Sequence, residues 1–86
     1  MSKIKPGDVI KHEKFTDVCF CVSEVSQEND GFSIVGCWMN MGYTRSWMID
    51  SGQIFIKYED ISKWAACIDA SSKPCIRYCT WVSLAS

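Results

Sequence analysis

The chain has 86 residues, 48% of them hydrophobic and 22% charged. That composition describes one globular domain and excludes both a disordered chain and a second core of useful size. Nine Lys and Arg against ten Asp and Glu leave a net charge of −1, which argues against a general nucleic-acid binder, because phosphate contacts need clustered surplus positive charge.

The first turn is Lys5-Pro6-Gly7-Asp8, where Pro presets one backbone angle and Gly accepts a positive one. It launches a short strand, Val9-Ile10-Lys11-His12, followed by a polar loop around Phe15. Residues 17–25 are rich in β-branched and aromatic side chains and read as a strand. Alternation places Val18, Phe20 and Val22 on one face and Cys19, Cys21, Ser23 and Val25 on the other. Asn29-Asp30-Gly31 predicts a tight hairpin turn with Gly at a positive backbone angle. Residues 32–40 return as a strand, in which Gly36 predicts a bend or a close backbone approach. Met41-Gly42-Tyr43 turns again. Strands are expected over 44–50 and 53–58, with Ser51-Gly52 between them.

The region 61–68 supports two readings. Ile61, Trp64, Ala65 and Ile68 form a helical stripe that Asp60 could cap. The competing reading is one helical turn over 59–62 and a closing strand over 63–68. Residues 69–74 read as a loop and 75–84 as a final strand or packed tail. The expected core is Val9, Val18, Phe20, Val22, Ile34, Trp38 or Met39, Ile49, Ile54 and Ile61. Short strands separated by Gly-containing turns indicate a small antiparallel barrel of about five strands, mostly β. Its body would span 5–68, with a C-terminal extension over 69–86.

Gly7-Asp8-Val9-Ile10-Lys11-His12-Glu13-Lys14-Phe15 resembles the opening Gly-Asp-x-Val-x-His-x-x-Phe of small SH3-like and Tudor-like barrels. It is similar to the barrels that end some bacterial helicases and to those of transcription-coupling factors. Val35-Gly36-Cys37-Trp38, a turn, and then Trp47 resemble short bacterial and phage YodC-like proteins. The resemblance implies an SH3-like barrel. It also implies a transcription or nucleic-acid-processing machine as a candidate partner. The chain departs from these patterns at Thr16, at Cys19-Phe20 and over 12–17, and residues 69–86 have no counterpart in either family.

The run 31–44 is the longest without charge, is broken by glycines and is far too short for a bilayer span. The N-terminus carries no apolar run of the secretory type. A cytoplasmic protein with no membrane partner is therefore expected. In a reducing compartment most or all of the six cysteines are expected to be free thiols, with Cys75–Cys79 the pair most able to meet. Cys19, Cys21, Cys75 and Cys79 could supply four thiolates, but Cys19 and Cys21 on one strand stand about 7 Å apart, which suits zinc poorly. No metal and no other cofactor is expected. His12 is the only histidine, and the sequence places no nucleophile beside it. A Cys–His pair stays open, but nothing fixes which thiol. The chain is read as non-enzymatic.

Eleven aromatic residues are more than so small a core can hide. Trp38, Asn40, Tyr43, Trp47 and Phe55 are the candidate binding residues, with Asp50 beside them. They are read as core packing, as a docking patch for a protein, or as a cage for a cationic side chain. Lys11, His12, Lys14 and Phe15, which carry the helicase-like motif, form the alternative site. The leading reading is a small interaction module, a bacterial or phage accessory protein that docks on a larger one. The alternatives are a single-strand nucleic-acid binder using Lys3, Lys5, Lys11, Lys14, Lys63, Lys73 and Arg77, and a cysteine-based zinc or redox protein.

Overall fold

The computed structural model describes residues 4–73 and 75–85. Lys3 of the expected basic cluster and Pro74 of the expected loop lie outside them. Among the described residues six strands are present: β1 (Val9–His12), β2 (Val18–Gln27), β3 (Gly31–Met41), β4 (Ser46–Lys57), β5 (Trp64–Cys67) and β6 (Trp81–Ser83). They form one antiparallel sheet in the order β4-β3-β2-β1-β5-β6. Short 3-10 helices cover Tyr58–Lys63, Ala70–Ser72 and Ile76–Tyr78.

The protein is mostly β and antiparallel, as its patterning predicts. The strand count and the closure differ. The two strands expected at 44–50 and 53–58 are one, because Gly52 pairs with Gly36 inside the ladder and does not turn. The tail adds β6. By taking the free edge of β5, β6 leaves the sheet open, with β4 and β6 as its edges. Region 61–68 follows the strand reading. Trp64 and Ala66 face the core while Cys67 faces the opposite side, an alternation that a helix cannot give.

Both faces of this sheet are covered. On the inner face Ile4, Ile10, Phe20, Val22, Phe32, Ile34, Ile56 and Leu84 form the main core, with Trp38, Ile54 and Ile61 packed against it. On the outer face Val9, Cys19 and Met41 are buried beneath Cys21, Met39, Cys67, Ala70, Ile76 and Trp81. The tail therefore covers the back of the sheet, and Cys75, Cys79 and Leu84 are themselves buried. Val18 is only partly buried.

Two one-residue bulges set which side chains face the core. Ser23 has no partner between the pairs Val22–Gly36 and Glu24–Val35. Beyond it the alternation of β2 reverses, and Val25, expected on the outer face, packs on the main core opposite Ile34. Ile49 has no partner between Trp38–Asp50 and Met39–Met48. The ladder puts Asp50 where alternation expected Ile49, and Ile49, an expected core residue, is 53% exposed.

Glycine does two different jobs here. Gly7 has φ +94° in the first turn, and its N–H donates to the Val22 carbonyl at 2.9 Å. Gly31 does not have the positive φ expected of it; a Cβ there would strike the Ile56 carbonyl. A Cβ on Gly36 would meet the Cys21 carbonyl and stand 2.9 Å from the Phe20 ring, so the expected close approach is present.

Four cysteines are free (Cys19, Cys21, Cys37 and Cys75), but Cys67 and Cys79 are joined by a disulfide with Cα atoms 5.6 Å apart. The expected Cys75–Cys79 pairing is not formed. The 3-10 turn at Ile76–Tyr78 points Cys75 at Gly42, where its thiol donates to the carbonyl, while Cys79 reaches the end of β5.

Phe20 is fully buried. Phe20→Ala is expected to cost about 3–5 kcal/mol, measured by urea denaturation. Reducing the 12-residue-spaced Cys67–Cys79 bond is expected to cost about 3 kcal/mol by chain entropy. An unchanged urea midpoint after complete reduction would show that the tail is held without it.

Candidate functional site

The expected binding residues separate into three places. Trp38 lies on the inner face, edge-on to Phe20 at 4.9 Å and to Phe15 at 6.1 Å. Asn40 and Trp47 are cross-strand partners at the far end of the β3–β4 hairpin, beside Tyr43 in the loop. Phe55 is not part of the cluster. It pairs with Ser33 on the outer face, eight residues along β4 from Trp47. That is about 26 Å at strand rise. The unbroken β4 separates them, where a turn at Gly52 would have folded them together.

Tyr43 is 71% exposed, yet one face of its ring is occupied. The Arg77 guanidinium stacks on it with 4.2 Å to the centroid. Arg77 also donates to Asp17 Oδ1 at 3.0 and 3.1 Å and to the Met41 carbonyl at 3.3 Å. The cation beside the hairpin is thus the chain's own, and it ties the tail to the loop before β2.

The residues that do converge come from both expected sets. Phe15, Val18, Trp38, Ile49 and Asp50 line an almost wholly apolar hollow of about 260 Å³. Phe15 is there because His12 holds its loop: Lys14 N–H donates to His12 Nδ1 at 3.1 Å, and the Phe15 N–H donates to the His12 carbonyl at 3.0 Å. The His12 ring packs on Phe15 at 5.8 Å and edge-on to Trp64 at 5.1 Å. One aromatic chain therefore runs Trp64–His12–Phe15–Trp38–Phe20 from β5 to the core. Ile49 and Asp50 reach the hollow through the β4 bulge. The motif already marks Phe15; nothing in the local sequence marks the bulge that brings Ile49 to it. Lys11 and Lys14 do not line this hollow. Lys11 lies over the Trp81 ring on the outer face, 4.8 Å from its centroid.

Three of the four free thiols gather on the outer face of β2 and β3, where Cys21 is the direct cross-strand partner of Cys37. Hydrogen bonding from Cys19 and then from Cys37 pulls the Cys21 thiol down to about 7, against the opposing effect of burial. Cys19, the donor, is pushed up by that same bond and by burial. Cys37 is also raised, chiefly by desolvation. Of these three, Cys21 is the thiol that its neighbours favour as the thiolate.

No protein-family model, curated protein or solved structure matches this chain.

Cys21 is expected to be alkylated by iodoacetamide ahead of Cys19 and Cys37, with a rate that rises as pH passes through about 7. Cys19→Ala removes the main donor and moves that midpoint upward. Peptide mass mapping across a pH series reads both effects.

Proposed function

We propose that this protein is a non-enzymatic interaction module that docks on a partner protein through the hollow of Phe15, Val18, Trp38, Ile49 and Asp50. The partner inserts a basic side chain. Its apolar stem lies against the Phe15 and Trp38 rings and its cationic end meets the Asp50 carboxylate. The observation that carries this reading is the pairing of near-complete apolarity with a single acid at the rim. The order β4-β3-β2-β1-β5, with one 3-10 turn ahead of β5, supports the resemblance to SH3-like and Tudor-like barrels. A transcription or nucleic-acid-processing assembly as the partner rests on that resemblance alone.

The charge arrangement favours protein over nucleic acid. Lys5, Lys63, Lys73 and Arg77 pair with Asp8, Asp60, Asp69 and Asp17 respectively, which takes four cations out of the expected basic patch. Heparin retention is expected to be lost at moderate salt.

The test uses Ile49, because a bulged and exposed residue can be changed without opening the core. Ile49→Asp is expected to keep the fold by circular dichroism. It is expected to weaken capture of the partner by about thirtyfold, the effect of losing one anchor of roughly 2 kcal/mol. Phe55→Ser, on the opposite face, is expected to bind normally. A folded Ile49→Asp that captures the same partner at full strength would sink this reading.

A further inference from the structure

The Cys67–Cys79 disulfide lies against a carboxylate. Among the described residues, Cys67, Asp69 and Cys79 are the one group whose metal-ligating atoms all fall within 4.8 Å of one another. We propose that this cluster is a redox-gated zinc site: the disulfide closes it, and reduction opens it to one Zn²⁺ held by Cys67, Cys79 and Asp69.

Bonds other than the disulfide also hold the segments that carry the donors. Cys67 ends β5, opposite Trp81 of β6. Ile68 N–H donates to the Thr80 carbonyl at 3.0 Å, and Leu84 N–H to the Trp64 carbonyl at 2.9 Å. These bonds bracket the cluster on both sides. Asp69 is placed by the residue that follows Cys79: Thr80 N–H donates to Oδ1 at 2.7 Å and the Thr80 hydroxyl to Oδ2 at 3.1 Å. Cys67 Sγ stands 3.6 Å from the same Oδ1. A carboxylate oriented by outer partners next to two sulfurs is the arrangement a ligating carboxylate needs.

The chemistry selects the ion. Two thiolates and one carboxylate suit zinc far better than calcium or magnesium, which take oxygen ligands. Tetrahedral zinc binds sulfur at about 2.3 Å, so two thiolates on one ion stand about 3.8 Å apart. Reduction releases the sulfurs to reach that spacing. Three protein ligands leave the fourth position to water.

The step balances with a thiol reductant such as glutathione. Two RSH give two electrons and two protons; the Cys67–Cys79 S–S bond breaks, two cysteine thiols form, and RSSR leaves. Zn²⁺ then displaces both thiol protons to solvent. The site is independent of the Phe15–Trp38 hollow, and its failure would leave the docking reading untouched.

The test titrates the full-length protein with Zn²⁺ and Co²⁺, oxidised and after phosphine reduction. One zinc per chain is expected in the reduced form and none in the oxidised form. Cobalt is expected to give tetrahedral visible bands with thiolate charge transfer. Cys67→Ser and Cys79→Ser are expected to abolish those bands. Asp69→Asn is expected to weaken zinc by at least about tenfold, the least that a ligand's loss costs when outer-shell partners alone carry 10–100-fold. Cys21→Ser is expected to change nothing. If reduction loosens the tail, zinc is expected to restore its circular dichroism signal. Absence of zinc binding on reduction, or binding lost in Cys21→Ser and kept in Cys67→Ser, would overturn the proposal.

Discussion

Two residues without cross-strand partners, Ser23 and Ile49, decide which side chains this sheet turns inward. Strand geometry has a period of two, so one inserted residue reverses every face beyond it. Ser23 brings Val25 under the core. Ile49 leaves the core and lets Asp50 take its place opposite Trp38. The hollow exists because of that second exchange. Without it an isoleucine would fill the space beside Trp38, and the acid would face away.

The sheet is long for a chain of this size, and it meets a problem that small sheets share. Its outer face carries Val9, Cys19, Met39 and Met41, which cannot stay in water. The C-terminal segment solves this by crossing the back of β1–β3. Arg77 pins it to Asp17 and Tyr43, Cys75 bonds Gly42, and Cys79 joins Cys67. The same crossing places Thr80 against Asp69 and so builds the cysteine–carboxylate cluster. Packing of the tail and the candidate metal chemistry have one cause.

The two candidate sites lie on different faces. The hollow opens beside the main core, where Phe15 is held by His12 and Trp38 by Phe20. The cluster belongs to the β5–β6 end, where the tail leaves and rejoins the sheet. The disulfide therefore joins the tail to β5 on the face opposite the one where Trp64, Trp38 and Phe20 pack.

Much of the fold is legible in the sequence. β1, β2 and β3 follow directly from β-branched runs and their turns. Gly7 and Gly36 behave as their positions require, and Phe20, Val22 and Ile34 lie inside because alternation is a local property of the chain. The tertiary structure alone decided the rest. Bulges depend on how two strands register, so Val25 and Ile49 could not be placed from one strand's pattern. Gly52 reads as a turn until a partner strand pairs through it. In sequence Cys75 was the partner expected for Cys79; the path of the tail across the sheet chose Cys67. The candidate patch was partly visible in Trp38 and Phe15, which carry their own motifs. Its fusion into one hollow, and the loss of Phe55 from it, depend on long-range pairing that no local window contains.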